Sequence, residues 1–399
     1  MEWSPEQEAA LKAVSKWYNN RDAQVFRLFG YAGTGKTTLA RHLAEGVDGD
    51  VVFGAFTGKA AHVLRQKGCD GAATIHSLIY RPAKIEEGDE DGAAEPMFTI
   101  RRDAPASEAS LIIIDECSMV DEELGRDLLS FGVPVLVLGD PAQLPPVKGG
   151  GFFTDHEPDI MLTEVHRQAA DNPIIQLSMD IRNGLTPDQG RYGDSRIISR
   201  QDIDADQILA ADQVLVGRNV TRSKYNSRIR SLLEFDGEIP CVGERLVCLR
   251  NNKQKGLLNG GMWSVKARNG KKRGLYRFDV VPEEGGRSAR VGILPEFFNG
   301  TAGNLPWPTR RKSDEFDYGY ALTVHKSQGS QWDDIVLFDE SFAFREHKAR
   351  WLYTAVTRAA KKITIVRYAV CGKCRYPSNP AFHANPASVS RTKAIVNGR

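Results

Sequence analysis

Cysteine is scarce in this sequence, and long apolar runs are missing from it. Six cysteines are scattered over 399 residues, and a chain of this length buries a core of normal size without disulfides or metals. Cys117 directly follows the acidic pair Asp115-Glu116, which favours thiols kept reduced in a cytosol. No run of about 18 apolar residues exists, and the opening MEWSPEQEAALK lacks the apolar stretch of a signal segment. We therefore expect a cytoplasmic protein without a membrane span.

A strong charge of either sign is also missing. The chain has 53 Lys and Arg against 51 Asp and Glu, a formal net charge of +2. This balance excludes a chain coated in positive charge, such as a histone-like protein, but it allows a local basic groove for nucleic acid. The hydrophobic share of 41% and the charged share of 26% are typical of a globular protein. The length predicts two or three domains.

The pair Cys371-Gly-Lys-Cys374 is a weak metal signal. A zinc site needs about four ligands, and only His383 follows nearby. We favour two free thiols in a polar tail, residues 371–399, where we expect poor order.

Short apolar runs alternate with helical stretches in the first part of the chain. Ser4 and Pro5 predict the start of an amphipathic helix that continues to Tyr18. The apolar runs are rich in Val, Ile and Leu without strict alternation, as expected for parallel strands buried on both faces. The pattern therefore predicts an α/β doubly wound fold. The runs occupy residues 25–29, 51–56, 111–115 and 133–140, and the pattern restarts at 212–217, 334–338 and 363–368.

Two segments interrupt this alternation. Residues 82–106 contain the acidic run EEGDEDG and then MFTIRR, which fits either a β-hairpin or a disordered loop. Residues 240–317 are rich in Gly, Arg and short β-like runs, which predicts a small antiparallel β insertion or barrel.

The clearest motif is the glycine-rich stretch from Gly30 to Thr37. It matches G-x-x-x-x-G-K-[ST] between a strand and a helix, the pattern of a phosphate-binding loop. Its glycines let backbone N–H groups curl around phosphate oxygens, and the helix N-terminus adds its positive end. We expect Lys36 to neutralise the β- and γ-phosphates of ATP and Thr37 to bind Mg²⁺. The predicted nucleotide-binding loop comprises Gly30, Ala32, Gly33, Thr34, Gly35, Lys36, Thr37 and Thr38.

An acidic pair ends the buried run LIIIDE. We expect Asp115 to hold Mg²⁺ and Glu116 to orient and deprotonate the attacking water. Phosphoryl transfer also needs positive charge at the γ-phosphate, where an arginine contributes on the order of 10³–10⁵ in rate. Arg167 in LTEVHRQ and Arg358 in WLYTAVTRAAKK are the candidates.

Nine motifs stand in a fixed order along the chain. In this set and order the chain resembles the superfamily-1 helicases of the 5′→3′ branch, the RecD/Dda-like group, and its size and layout are most similar to the phage Dda helicases. The motifs are SPEQ, the phosphate-binding loop, FTGKAA (56–61), TIHSLI (74–79), the DE pair, GDPAQLPPV (139–147), LTEVHRQ (162–168), VHKSQGSQW (324–332) and YTAVTRA (353–359).

The resemblance implies two RecA-like motor domains, with a small pin inserted in the first and an SH3-like β-barrel inserted in the second. We expect the first motor domain at residues 1–165, with the pin at about 82–106. The second motor domain would comprise 166–253 and 318–370, interrupted by the β insertion at 254–317.

The resemblance also implies roles around the nucleotide. Gln7 matches the residue that reads adenine, and Gln143 matches the sensor between the γ-phosphate and DNA. Arg167 and Arg358 match the two arginine fingers that the second motor domain supplies. Gly329 and Gln331 match positions near the nucleotide, although Glu is more usual than glutamine at the latter.

A single-stranded DNA track is implied across both motor domains. Hydroxyls and amides bind phosphates without reading sequence, and aromatic rings stack bases at about 1–3 kcal/mol each. Packing inside the fold is the alternative role for Phe56, His76, His325 and Phe98, and the basic runs KQKG and GKKRG are either solvated loops or DNA contacts. The implied contacts are Phe56, Thr57, Lys59 and His76, then Thr323, His325, Lys326, Ser327 and Gln328, with Phe98 in the pin.

Together these features predict an ATP-dependent DNA helicase that translocates 5′→3′ along single-stranded DNA. We expect a monomer acting at single-strand/duplex junctions in a bacterial or phage-infected cell, with replication or recombination proteins as partners. The alternatives are a single-stranded DNA translocase, an RNA-directed enzyme of the same superfamily, and a P-loop ATPase with a regulatory DNA-binding role. An inactive binding module is a further alternative, but the intact Lys36, Asp115, Glu116, Arg167 and Arg358 count against it.

Overall fold

A computed structural model describes residues 3–82, 98–146, 151–165, 172–283 and 285–368. These residues form two six-stranded sheets, a five-stranded sheet and a two-stranded sheet. Across this part of the chain, no helix combines the length and the apolar character needed to cross a bilayer. Its four cysteines, Cys69, Cys117, Cys241 and Cys248, are free thiols.

The first six-stranded sheet is built from the N-terminal half of the chain. In chain order its half contains β1 (Val25–Gly30), β2 (Val51–Ala55), β3 (Ala73–Thr74), β4 (Tyr80–Pro82), β5 (Phe98–Ile100), β6 (Leu111–Asp115), β7 (Val135–Gly139) and β8 (Ile160–Leu162). The strand order is β3-β2-β6-β7-β1-β8, and every pair is parallel. Apolar side chains fill β6 and β7 because both strands are covered on both faces.

Helices cover this sheet, and the first of them begins where its sequence requires. The Ser4 hydroxyl accepts a hydrogen bond from Gln7 N at 3.3 Å, while Ser4 N donates to Gln7 Oε1 at 3.1 Å. This reciprocal capping box stabilises the first turn. The helices are α1 (Pro5–Asn20), α2 (Lys36–Glu45), α3 (Gly58–Gln66), α4 (Ile75–Ile79), α5 (Pro105–Glu108) and α6 (Glu122–Leu129), with a 3₁₀ turn at Cys117–Met119.

The second six-stranded sheet comes from the C-terminal half. Its half contains the strands β9 (Gly190–Tyr192), β10 (Ser195–Ser199), β11 (Gln213–Val216), β12 (Arg245–Cys248), β13 (Met262–Lys272), β14 (Leu275–Pro282), β15 (Ala289–Ile293), β16 (Phe316–Tyr318), β17 (Ala321–Thr323), β18 (Trp332–Phe338) and β19 (Ala359–Arg367). The order is β17-β11-β18-β19-β10-β9, with β9 alone antiparallel. The predicted α/β class is confirmed, with a parallel sheet in the first half and a mainly parallel one in the second.

The helices of this half are interleaved with its strands. Longer helices follow parallel strands, as in βαβ units, and short 3₁₀ turns connect several elements. The helices are α7 (Pro173–Arg182), α8 (Ala205–Ala210), α9 (Asn219–Leu232), α10 (Trp307–Arg311) and α11 (Lys348–Val356), and the 3₁₀ turns are at Arg200–Asp202, Lys253–Lys255, Pro295–Phe297, Ala302–Asn304, His325–Ser327 and Ser341–His347.

An antiparallel sheet interrupts the second half, in the order β15-β14-β13-β12-β16. It encloses its own core, which includes Leu246, Trp263 and Phe278. The sheet extends beyond the expected range 254–317 because β12 begins at residue 245 and β16 ends at residue 318. The likeness of this unit to an SH3 barrel stays a prediction.

The interruption in the first half begins and ends as a hairpin. β4 and β5 pair antiparallel, with Tyr80 opposite Ile100 and Pro82 opposite Phe98. The Tyr80 hydroxyl donates to Asp127 Oδ2 at 2.5 Å, which ties the hairpin to α6. Of the two structures that the sequence allowed, the pairing supports the hairpin at its base. The acidic run at 86–92 lies outside the described residues.

The candidate functional residues lie at the carboxyl edges of the two large sheets. In an α/β sheet, ligands bind outside the carboxyl ends of the strands. In the first sheet, this edge carries the turns after β1, β6 and β7. In the second sheet, it carries the turns after β17, β11 and β18.

Candidate active site

The turn after β1 has a backbone that only small residues permit. Gly33 and Gly35 have φ angles of 82° and 80°, which side-chain-bearing residues rarely adopt. A Cβ on Gly30 would lie 2.7 Å from Thr34 Oγ1 and 2.8 Å from Leu162 Cβ. The glycines of the motif are therefore required by the fold of the loop itself.

Two side chains at the start of α2 connect this loop to the neighbouring strands. Lys36 Nζ donates to the carbonyl oxygens of Gly30 and Tyr31 at 2.5 and 2.9 Å. The Thr37 hydroxyl donates to Asp115 Oδ2 at 2.9 Å. The two residues predicted to bind Mg²⁺ are thus adjacent, because β1 and β6 end at the same edge of the sheet.

Glu116 follows with an unusual backbone. Its φ and ψ angles are 53° and 45°, a left-handed conformation that is rare for a residue with a side chain and that clusters at functional sites. Burial raises the pKa of its carboxyl, while the positive charges of Arg358 and Lys36 act in the opposite direction. The carboxyl is therefore influenced by positive charges from both halves of the chain.

Asp140, directly after β7, is a third acidic group at this edge. It is buried, and burial raises the pKa of its carboxyl. Ala142 N donates to its Oδ1 at 3.0 Å, and the Tyr353 hydroxyl donates to its Oδ2 at 2.6 Å. The same hydroxyl accepts from the backbone N–H of Ala32 in the glycine-rich loop, at 3.1 Å.

Other contacts join the two halves around this point. Leu144 N donates to Thr354 Oγ1 at 2.9 Å, and Gln328 Nε2 donates to the Leu144 carbonyl at 3.1 Å. The Arg182 guanidinium lies 3.6 Å from the centre of the Tyr31 ring, which is within the range of a cation–π interaction. The glycine-rich loop and the turn after β7 therefore form one wall of a cleft, with α7 and α11 on the other.

Arg358 lies one turn beyond Thr354, at the end of α11. It is buried, and its Nε donates to the Thr354 carbonyl at 3.1 Å while a terminal nitrogen reaches the Ser330 carbonyl at 3.4 Å. Its charge acts on both Glu116 and Asp140. The finger role of Arg358 stays a prediction, and Arg167 lies outside the described residues.

Two glutamines assigned to the nucleotide differ in their surroundings. Gln7 is buried, and its Nε2 donates to the Thr34 carbonyl at 3.1 Å, so it supports the glycine-rich loop directly. Gln143 is also buried, and its side-chain oxygen has no hydrogen-bond partner among the described residues. A buried polar atom without a partner is costly, which suits a residue that meets a ligand. Both assigned roles stay predictions.

Gly329 and Gln331 follow the 3₁₀ turn after β17. A Cβ on Gly329 would lie 2.9 Å from Ala60 Cβ and 3.3 Å from Thr57 Oγ1, so this turn contacts α3 of the first half. Gln331 is exposed. These contacts lead to α3, and a role of either residue near the nucleotide stays a prediction.

The expected DNA residues of the first half surround the start of α3. The Thr57 hydroxyl caps the helix by accepting from Ala60 N at 3.1 Å. Phe56 and His76 meet edge to face with ring centres 6.3 Å apart, and burial lowers the pKa values of His76 and Lys59. Phe56 and His76 therefore pack at least partly against each other.

The expected DNA residues of the second half divide into inward and outward groups. Thr323, Ser327 and Gln328 are buried, and the Ser327 hydroxyl donates to the Val324 carbonyl at 2.7 Å. His325 is half-buried, with its ring centre 5.5 Å from that of Phe344, while Lys326 is exposed. Outward contacts are therefore available to His325 and Lys326, and DNA contacts by the side chains of the buried three stay predictions.

Comparison with known proteins agrees with this arrangement. Residues 2–202, just over half of the chain, match the family model of an AAA domain, and residues 318–366 match that of a UvrD-like helicase C-terminal domain. A RecD2 DNA helicase of Deinococcus radiodurans is 31% identical in an alignment covering 83% of this chain and 45% of that protein. A Pif1 DNA helicase of Bdellovibrio bacteriovorus is 25% identical over 84% of this chain and 81% of that protein.

The chain belongs to the superfamily-1B helicases.

Solved helicase structures share its fold. The Pif1 helicase from Candida albicans gives a TM-score of 0.55 at 19% identity and covers 92% of this chain and 94% of that one. A Bacteroides Pif1 bound to single-stranded DNA gives 0.55 at 20% identity and covers 91% and 92%. The prediction of two RecA-like domains is confirmed. The chain spans less than half the length of its Deinococcus relative, and the more specific likeness to Dda helicases stays a prediction.

Four residues of the cleft are not among those predicted from the sequence. Asp140, Tyr353 and Thr354 lie inside motifs that were recognised, so their positions were available although their contacts were not. Arg182 lies on α7, where no motif marks it.

Proposed function

We propose that this helicase couples ATP hydrolysis to 5′→3′ movement along single-stranded DNA and to the unwinding of duplex DNA. The observation that carries the proposal is the meeting of Thr37, Asp115 and Glu116 at one edge of the first sheet, with Arg358 of the second half acting on Glu116. This combination has the donors, acids and external cation that phosphoryl transfer requires.

Mg-ATP fits the residues of the glycine-rich loop. Mg²⁺ is usually held by one or two carboxylates together with phosphates and water rather than by a cage of protein ligands. The Thr37 hydroxyl and the Asp115 carboxylate, 2.9 Å apart, are such a pair. Consistent with this, the described residues contain no cluster of three or more His, Cys, Asp or Glu that would form a cage. When bound, the metal would neutralise phosphate charge during the transfer.

The hydrolytic step assigns separate tasks to the surrounding side chains. Lys36 exchanges its two carbonyl partners for phosphate oxygens. Glu116 accepts a proton from the attacking water, and its raised pKa makes its carboxylate a stronger base than an exposed glutamate. Arg358 stabilises the negative charge of the transition state from the second motor domain, and we assign the same task to Arg167 on the family pattern.

Movement would follow from closing and reopening of the cleft. The turn after β7 is bonded to α11 through Leu144 and to the turn after β17 through Gln328. A change at the nucleotide would therefore reach the turn that carries His325 and Lys326. Alternating grip by the two motor domains would then give directed stepping, and the strength of each grip should fall as salt rises.

A basic cleft beside α3 supports the DNA track in the first half. It has a volume of about 740 Å³ and lies between α3 and the antiparallel sheet. Its lining includes Lys59, Arg65, Lys255 and Arg287. Cations of this kind bind the phosphate backbone without reading sequence, as in sequence-tolerant single-strand sites.

The direction of movement and the duplex-splitting element rest on the family pattern. We assign the pin to residues 82–106, which include β5, with Phe98 on the strand that leads to its tip. The proposed motor domains are 1–165 and 166–253 with 318–370, but β12 (Arg245–Cys248) of the second range joins the antiparallel insertion. The substrates would be single-stranded DNA and its junctions with duplex, and the working unit would be a monomer.

An unwinding assay on tailed duplexes tests the proposal. Wild-type protein should open a duplex with a 5′ single-stranded DNA tail and hydrolyse ATP faster when DNA is added. Lys36→Ala should lose both activities, because the cation at the phosphates is gone. Lys16→Ala, which removes an exposed lysine of α1, is the matched control and should keep both.

Each outcome of this assay tests one part of the proposal. Opening of only 3′-tailed duplexes would contradict the direction. Preference for RNA tails would contradict the assignment to DNA, and ATP-driven movement without strand separation would leave a translocase. Normal ATP turnover in Lys36→Ala would contradict the assignment of the ATP site.

A further inference from the structure

A single hydroxyl group links the glycine-rich loop to the second half of the chain. The Tyr353 ring is buried in the core of the second motor domain, on α11. Its hydroxyl extends into the first domain, 3.1 Å from Ala32 N and 2.6 Å from Asp140 Oδ2. The bond to Ala32 joins residues 321 positions apart.

The chemistry of the three groups fixes the direction of both bonds. The Ala32 N–H is only a donor, and an Asp140 carboxylate is only an acceptor. The phenol therefore donates its one proton to Asp140 and accepts from Ala32 through oxygen. Burial and the charge of Asp140 raise the pKa of Tyr353, so the phenol keeps its proton.

Both partners of the hydroxyl belong to segments that serve the nucleotide. Backbone N–H groups of a glycine-rich loop are the donors that cradle phosphates. Asp140 begins the turn that carries Gln143, and Ala142 N holds its other oxygen at 3.0 Å. The neighbour of Tyr353 on α11, Thr354, accepts from Leu144 N in the same turn at 2.9 Å.

We propose that Tyr353 is a positioning residue whose hydroxyl competes with a phosphate oxygen of ATP for the Ala32 N–H and thereby transmits nucleotide binding to α11. This inference rests on the proposed ATPase function. A phosphate oxygen is charged, and charge-assisted hydrogen bonds are roughly twice as strong as neutral ones. The Ala32 N–H therefore bonds to ATP, and the phenol remains bonded only to Asp140. As a result, α11 and the adjoining Arg358 are released from the glycine-rich loop.

The exchange gives the second motor domain a way to distinguish an occupied loop from an empty one. Before nucleotide binds, Tyr353 holds α11 to both Ala32 and Asp140. Once the N–H is taken, α11 is held through Asp140 and Leu144 alone, so it can shift along the turn that carries Gln143. The cost of displacing the phenol is subtracted from the affinity for ATP.

Tyr353→Phe separates this role from simple packing. The phenylalanine ring fits the same buried site, and only the hydroxyl is lost. Ala32 N–H then has no competitor, so ATP should bind roughly two- to tenfold more tightly, the equivalent of one net hydrogen bond. Turnover should fall by about tenfold or more, because α11 and Arg358 also lose the bond to Asp140 that the wild-type phenol keeps once ATP is bound.

The experiment compares equilibrium binding of a non-hydrolysable ATP analogue with kcat for ATP, both in the presence of single-stranded DNA. Tyr192→Phe is the matched control: its hydroxyl donates to the Asp188 carbonyl away from the cleft, and neither quantity should change. Asp140→Asn keeps an acceptor for the phenol but removes the negative charge of the carboxylate. It should therefore also tighten binding of the analogue, but by less than Tyr353→Phe does. Thermal melting confirms that each variant is folded.

The split between affinity and turnover decides the result. Tighter binding with slower turnover supports the competition. Weaker binding with slower turnover indicates a structural role and overturns it, as does a Tyr353→Phe protein that behaves like wild type. Failure of the wild-type protein to bind the analogue would overturn the proposed ATP site, and this inference with it. Normal wild-type binding with an unchanged variant would overturn this inference alone.

Discussion

Gly329 brings the turn after β17 against α3 of the first motor domain. Its φ angle is 74°, and a Cβ at this position would lie 2.9 Å from Ala60 Cβ and 3.3 Å from Thr57 Oγ1. Replacing Gly329 by alanine therefore has two separable effects. One is local backbone strain, and the other is a steric contact between the two motor domains.

The two effects act on different equilibria. A left-handed alanine costs about 1–2 kcal/mol, whether the cleft is open or closed. The contact opposes only the arrangement of the two motor domains in which Gly329 lies against α3, which we take as the closed cleft. Overpacking costs about 1–3 kcal/mol. Because each 1.4 kcal/mol is a factor of about ten, closure should become roughly 5- to 150-fold less favourable. We expect kcat/KM for DNA-stimulated ATP hydrolysis to fall within that range.

A second glycine supplies the control. Gly274, in the turn between β13 and β14, has a φ angle of 81° and no atom within 4 Å of a Cβ built on it. Gly274→Ala should carry the same strain and a similar loss of melting temperature, but turnover should not change. Steady-state ATP hydrolysis at saturating single-stranded DNA measures the difference. Equal kcat/KM values for the two variants would refute the argument that the Gly329 contact belongs to the working closed state.

Two further perturbations address the chemistry and the unwinding. As the pH is lowered, ATP turnover should begin to fall at a higher pH than the ordinary glutamate pKa would give, because burial raises the pKa of Glu116 and the base acts as a carboxylate. The pH profile of kcat measures this. A profile that falls only at the ordinary glutamate pKa would contradict the prediction. Phe98→Ala should slow strand separation but not movement along single-stranded DNA, and equal effects on the two rates, or no effect on either, would contradict the pin.

Local features of the fold were predictable from the sequence. The Val-, Ile- and Leu-rich runs became the central parallel strands because strands covered on both faces need apolar side chains on both. The glycine-rich loop was equally predictable, since its conformation depends on neighbours close in sequence, such as Thr34 and Lys36. The β-like texture of residues 240–317 also covered β12 (Arg245–Cys248), whereas the narrower boundary at residue 254, taken from the family resemblance, left that strand out.

The cleft contacts were not predictable from residue spacing. Tyr353 and Thr354 lie in the same motif. Its sequence does not show that the tyrosine hydroxyl accepts a hydrogen bond from Ala32 N while the threonine hydroxyl accepts one from Leu144 N. Arg182 meets Tyr31 through the packing of two domains. Such contacts depend on the relative placement of separately folded units, which hydrophobic periodicity does not encode.

The segment from His325 to Ser327 shows that a matched motif does not by itself separate exposed side chains from buried ones. It forms a 3₁₀ turn, in which about three residues complete one revolution, so consecutive side chains point in different directions. Ser327 faces the core, His325 packs half-buried on Phe344, and Lys326 is exposed. A strand of DNA on this edge can meet the outward members directly. The inward members contribute by holding the turn, as Gln328 does through the Leu144 carbonyl. The motif therefore contains both exposed side chains and side chains that hold the turn, and only the fold separates them.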